Sequence, residues 1–176
     1  MKAVMMSIQP KWCELISSGK KTVEFRKTKP KIAPPFKVSI YCTKGKPTFT
    51  QSAFCDDVSN GKVVGEFVCD KIYDITPHFD TPTFPNQYIC GWDYGKEFDC
   101  LSFEELTSYL NGKKGYGWHI SDLVIYDEPR DLWRFCKPCD PHPECDCEYC
   151  ITHGRSKSLQ ITRPPQSWCY VERREI

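Results

Sequence analysis

Short stretches of alternating apolar and polar residues recur along the chain, without the regular helices that a parallel sheet would need between them. Val4, Met6 and Ile8 oppose Met5, Ser7 and Gln9; Val23 and Phe25 oppose Thr22, Glu24 and Arg26; Val38, Ile40 and Cys42 repeat the pattern within Lys37–Cys42. Successive side chains on an extended strand point to opposite faces, so each stretch predicts a half-buried strand. Lys62–Ile75, which follows an Asn60-Gly61 turn, predicts one long strand or a pair, and Trp118–Tyr126 predicts another. Two helices complete the pattern. Pro10 suits the first turn of one, Trp12, Leu15 and Ile16 give its apolar stripe, and Gly19 supplies a left-handed cap. Ser102-Phe103-Glu104-Glu105 fits a capping box for the other, with Phe103, Leu106, Tyr109 and Leu110 as its stripe and Asn111-Gly112 as its stop. Five or six strands with two or more flanking helices make a mixed α+β fold, a small β-barrel rather than a parallel sheet.

At 176 residues the chain can bury one core of ordinary size, and 14% aromatic residues argue against disorder. No stretch approaches the roughly 18–20 consecutive apolar residues of a membrane span. The opening Met1–Ser7 lacks a signal-peptide apolar run. A soluble, cytoplasmic chain with no membrane partner is therefore expected. Residues 76–101, with Pro77, Pro82 and Pro85 among aromatics, read as a long irregular excursion of the kind that is usually functional.

Net charge is only +1, yet residues 1–50 hold eleven Lys/Arg against Glu14 and Glu24, a balance of +9. Residues 51–110 hold three Lys against eleven acids, a balance of −8, and the remainder is neutral at ten each. A neutral whole can thus present a basic face that attracts phosphate with salt-dependent affinity. The alternative is a solvated lysine surface neutralised by the acidic middle.

Twelve cysteines fall into two groups. Cys13, Cys42, Cys55, Cys69, Cys90 and Cys100 are scattered, mostly in or near apolar runs, and read as small buried hydrophobes. Cys136, Cys139, Cys145, Cys147 and Cys150 crowd together, with Cys169 further on. Cys136-x-x-Cys139 and Cys147-x-x-Cys150 can supply four thiolates to a structural zinc, with His142, Cys145 and His153 as spare donors. Disulfides and free thiols are the competing readings. Residues 1–135 accordingly read as the barrel domain and 136–176 as a Cys-rich extension. Its last stretch, Pro164–Val171, would fold back on the barrel, because Trp168, Tyr170 and Val171 would otherwise expose an apolar patch.

The segment with most chemistry is Gly19-Lys20-Lys21-Thr22-Val23-Glu24-Phe25-Arg26. It places an ammonium at a helix-to-strand junction and a carboxylate and a guanidinium on the strand face opposite Val23 and Phe25. Gly19-x-Lys21-x-x-Glu24-x-Arg26, preceded by Ser7-Ile8-x-Pro10 and a short helix, resembles the signature of the ASCH domain, in the PUA-like superfamily. The resemblance covers roughly residues 1–135, and Trp118-His119-Ile120-Ser121-Asp122-Leu123 is similar to a strand of phage and bacterial members.

The resemblance implies a PUA-like barrel with a cleft beside its first helix that binds RNA or a nucleoside-like ligand. Lys21, Glu24 and Arg26 would line it, with Lys20, Trp118 and His119 as further ligand-binding candidates. Arg26 suits a phosphate or base edge through its planar donors, and a tryptophan can stack a base. Trp12, on the helix's apolar stripe, reads rather as core. Some relatives are amidohydrolases acting on acetylated cytidine, with a threonine nucleophile where Glu24 stands. Thr22 shares that face but lies about 6–7 Å along the strand. If this chain is an enzyme, Lys21 and Glu24 are the catalytic candidates, but a carboxylate beside an amine makes the amine a poorer base, which ranks binding above hydrolysis. A ribonuclease using Lys21, Arg26 and His119, and a zinc-stabilised interaction protein with a vestigial cleft, are the remaining readings.

Overall fold

A computed structural model describes residues 3–45, 60–78, 87–90, 100–138 and 159–173. In chain order these form β1 (Ala3–Ile8), α1 (Pro10–Ser17), β2 (Val23–Arg26), β3 (Phe36–Cys42), β4 (Val63–Cys69), β5 (Ile72–His78) and β6 (Gln87–Cys90). Then follow α2 (Phe103–Leu110), β7 (Gly115–His119), β8 (Ser121–Arg130), a 3-10 turn (Leu132–Arg134), β9 (Phe135–Cys136) and β10 (Trp168–Arg173). The strands form a six-stranded sheet, β8-β4-β3-β1-β10-β9, and a four-stranded sheet, β2-β7-β5-β6. The mixed α/β class agrees with the sequence. The strand number does not: ten are present among the described residues, against five or six expected. Pairings as short as the two residues of β9 carry no readable periodicity. Trp118–Tyr126 is divided between β7 and β8 by Ile120, which belongs to neither strand, and Asp122, inside β8, takes a left-handed φ of 46°.

The chain divides into two compact units, Met1–Glu14, Lys37–Phe67 and Val124–Ile176 in one, Leu15–Phe36 and Val68–Leu123 in the other. In the first, β1 runs parallel to β3 from Val4↔Val38 to Ile8↔Cys42, and antiparallel to β10 from Ala3↔Val171 to Met6↔Trp168. Every residue of β1 is buried, so the expected wet face of Met5 and Ser7 is covered. Ser7 is accommodated there by bonding: its hydroxyl donates to the Pro165 carbonyl at 2.6 Å and its amide to the Ser167 carbonyl at 2.9 Å. Ala3, Met5, Tyr41, Val63, Phe135, Ile161 and Val171 form the core of this unit.

Gly65 on β4 marks a close backbone approach. A Cβ there would stand 2.5 Å from the Val124 carbonyl oxygen of β8, a contact that no rotamer change relieves. Gly65→Ala is expected to cost about 1–3 kcal/mol in a urea-denaturation measurement, as overpacking does. An unchanged midpoint would mean that β8 does not lie so near.

The second unit packs α2 on one face of the four-stranded sheet. Val23, Phe25, Ile75, Leu106 and Leu110 make its core, with Tyr73 and Leu101 against it. The capping box is formed as the sequence predicts: the Ser102 hydroxyl accepts from the Glu105 amide, and the Glu105 carboxylate accepts from the Ser102 amide at 2.8 Å. Asn111 closes α2 in the left-handed conformation, φ 50°. No helix among the described residues is long and apolar enough to cross a membrane.

Candidate functional site

The second unit also holds the charged segment. Gly19, at φ 72°, ends α1 with its amide on the Ile16 carbonyl and the Lys21 amide on the Leu15 carbonyl, both at 2.9 Å. This left-handed cap turns the chain so that Lys21 leads into β2. Strand β2 lies at one end of its sheet and pairs with β7 in the register Val23↔His119, Glu24↔Trp118, Phe25↔Gly117, Arg26↔Tyr116. Directly opposed residues share a face, so Glu24, Arg26, Trp118 and Tyr116 lie on one side, and Val23, Phe25 and His119 on the side that packs α2.

Lys21, Glu24 and Arg26 converge and are buried, with 1%, 6% and 8% of their surfaces exposed. Arg26 Nη2 stands 2.9 Å from Glu24 Oε1, and Lys21 Nζ stands 3.7 Å from Glu24 Oε2. Lys21 Nζ also lies 5.0 Å from the centroid of the Phe25 ring. One carboxylate therefore faces a cation on each oxygen. Ionised groups leave water at a cost of several kcal/mol each unless they are paired, so such a cluster persists only when its members hold one another.

Trp118, opposite Glu24, is fully buried, and its ring meets Phe36 edge-on at 5.6 Å between centroids. It packs beside the cluster instead of offering a free stacking face. Lys20 is exposed, and its carbonyl accepts from the Cys100 thiol at 3.3 Å. His119 is turned to the other face by the alternation along β7. There Nδ1 lies 2.6 Å from Asp70 Oδ1 and the ring sits edge-on to Tyr73 at 6.4 Å. Desolvation works to raise Asp70, but bonding to His119 and to its own amide, with the charges of His119 and Lys71, holds the carboxyl below its ordinary value. The structure thus brings Lys21, Glu24, Arg26 and Trp118 together and separates His119 from them. In the first unit, Trp12 is half-buried with Lys11 Nζ 4.4 Å over its ring, so it is less enclosed than a core residue.

Tyr109 of α2, placed by the sequence on that helix's apolar stripe, lies within electrostatic reach of Arg26 and Glu24. Its hydroxyl bonds to the Lys27 backbone, and Lys27 Nζ lies 5.0 Å from its ring centroid. Burial of the hydroxyl raises its pKa; the charge of Arg26 pulls it down and that of Glu24 pushes it up, and the net shift is upward. The ring is 38% exposed, unlike Leu106 and Leu110 on the same helix. The polar end of a tyrosine at the margin of an apolar stripe was the available signal.

Of the proposed zinc ligands, Cys136 is buried on β9, opposite Glu172 in register, and bridges to Gln160. Cys139, Cys145, Cys147 and Cys150, with His142 and His153, lie outside the described residues. Among the described residues no three His, Cys, Asp or Glu side chains group as a metal site.

The model of the ASCH domain matches residues 6–107, a stretch that contains the whole charged segment. Among solved structures, a tyrosine-to-phenylalanine mutant of the ASCH protein from Zymomonas mobilis aligns with a TM-score of 0.56 at 20% identity, over 98% of this chain and 91% of that one. The same organism's unmutated ASCH protein aligns with a TM-score of 0.55 at 20% identity, over 97% of this chain and 87% of its own. At that identity the likeness is one of fold. No curated protein matches the chain. A family model that spans more than half of the residues and encloses Lys21, Glu24 and Arg26 places this chain in the ASCH domain family.

Proposed function

We propose that this ASCH domain binds RNA or a nucleotide at Lys21, Glu24 and Arg26. The observation that carries the reading is the convergence of two cations on one carboxylate, all buried, at the motif positions. A guanidinium fixed by a carboxylate is preorganised, and its planar donor geometry suits a phosphate or base edge. The excess of basic residues in the first fifty adds a long-range pull on a polyanion. Hydrolysis ranks second. A base that activates water needs a carboxylate oxygen at liberty, and both oxygens of Glu24 already face cations.

The test is a titration of wild type and Lys21→Ala with short RNAs and with nucleoside monophosphates at two salt concentrations. Wild type should bind with an affinity that falls as salt rises. Lys21→Ala should weaken binding roughly tenfold or more, the worth of one hydrogen bond to a charged group. Equal binding by the two proteins, or none by either, would defeat the proposal. Turnover of acetylated cytidine that disappears in Lys21→Ala would favour the hydrolase.

A further inference from the structure

The sheet face that carries Glu24 and Trp118 has a second row. Arg26 on β2, Tyr116 on β7 and Asp74 on β5 stand opposite one another in register. Two lysines close over that row. Lys29 Nζ lies 3.3 Å from Asp74 Oδ1 and 4.9 Å from the Tyr116 ring centroid. Lys114 Nζ lies 3.2 Å from Asp74 Oδ2 and 5.4 Å from the same centroid. One carboxylate thus bridges two ammonium groups over a single aromatic ring. Lys21, Glu24 and Arg26 are each less than one-tenth exposed, but here the side chains of Lys29, Lys114 and Asp74 are 44%, 46% and 53% exposed.

Stability does not account for this arrangement. Exposed ion pairs contribute about 0–1 kcal/mol each, and two like charges drawn to one carboxylate repel each other. Two lysines and one aspartate carry a net positive charge, and the bridging carboxylate presents the same pair of anionic oxygens as a phosphodiester. Desolvation works to raise Asp74, but bonding to Lys114 and Lys29 and their charges hold its carboxyl below the usual range, so it occupies the position as an anion. Asp74 lies one same-face step, about 6–7 Å, along the sheet from the row of Glu24 and two strands, about 10 Å, across from β2, a separation on the scale of one to two nucleotides of an extended strand.

We infer that Lys29, Lys114 and Tyr116 form a second subsite, which receives the phosphate of the nucleotide adjoining the one held at Lys21, Glu24 and Arg26, with Asp74 displaced by that phosphate. The inference rests on the RNA reading of the buried cluster and deepens it: the ligand is a strand, not a lone nucleotide.

The experiment compares a mixed-sequence RNA hexamer with nucleoside 5′-monophosphates on wild type, Lys29→Ala/Lys114→Ala and Asp74→Asn, with melting curves to confirm that each is folded. Wild type should bind the hexamer more tightly than any monophosphate. The double lysine variant should lose roughly tenfold in hexamer affinity, the worth of two exposed ion pairs, and keep its monophosphate affinity. Its salt dependence on the hexamer should become shallower by about one phosphate contact. Asp74→Asn should bind the hexamer several-fold more tightly, because a competing anion has gone. A hexamer bound no better than a monophosphate, or equally well by wild type and double variant, overturns the second subsite and leaves the first reading standing. A neutral or weakening effect of Asp74→Asn overturns displacement by phosphate. Wild type that binds neither probe overturns both.

Discussion

Glu24→Ala should destabilise the protein by about 3–5 kcal/mol, the usual consequence of removing one partner from a buried charge pair. The carboxylate stands between Arg26 at 2.9 Å and Lys21 at 3.7 Å, and all three side chains are less than one-tenth exposed. Without it, two like charges face each other in a medium that screens them poorly. Lys21→Met is the informative contrast. It retains the 2.9 Å pair of Glu24 and Arg26 and replaces the ammonium with an apolar chain of similar length, so its cost should be much smaller. Urea denaturation of both variants checks the order. A Glu24→Ala loss below about 1 kcal/mol, as for an exposed pair, would show that the cluster is open to water.

Removal of residues 164–176 should be the more severe change. Strand β10 is interior to the six-stranded sheet, with β1 on one side and β9 on the other. Its deletion strips β1 of its antiparallel partner, takes the fully buried Val171 from the core, and removes the Pro165 and Ser167 carbonyls that satisfy Ser7. Each buried polar group left without its bond costs about 1–3 kcal/mol, and a domain's net stability is only about 5–15 kcal/mol. The melting temperature should fall by at least ~10 °C, or the cooperative transition should vanish. An unchanged melting temperature would show that β10 contributes nothing to the fold.

What was legible in the sequence was local. The proline start and glycine end of α1, the capping box of α2 and the extended course of β2 all depend on residues within one turn or strand of each other, and all are present, although β2 is buried on both faces and not on one. The charged segment was legible for the same reason: Lys21, Glu24 and Arg26 need only a helix cap and a strand to meet. Partners drawn from other strands were not. Nothing near Glu24 announces that Trp118 lies across from it, nor near Tyr116 that Asp74 does, because register is fixed by pairings far apart in the chain. His119 was a separate matter. Adjacent residues on a strand point to opposite faces, so Trp118 and His119 cannot both face Glu24, and the alternation itself carried that answer. The two-sided burial of β1 was hidden by Ser7, whose polarity is answered by carbonyls some 158 residues away.

The position of β2 has a consequence for the behaviour of the protein in solution. A strand at the end of a sheet invites a second molecule to pair with it, and short length and charges turned inward are among the ways proteins discourage this. Strand β2 has four residues, and two of them, Glu24 and Arg26, carry buried charge. Inward charge on so short a strand is one of those ways, so a variant that makes both side chains apolar is expected to associate more readily, which light scattering checks.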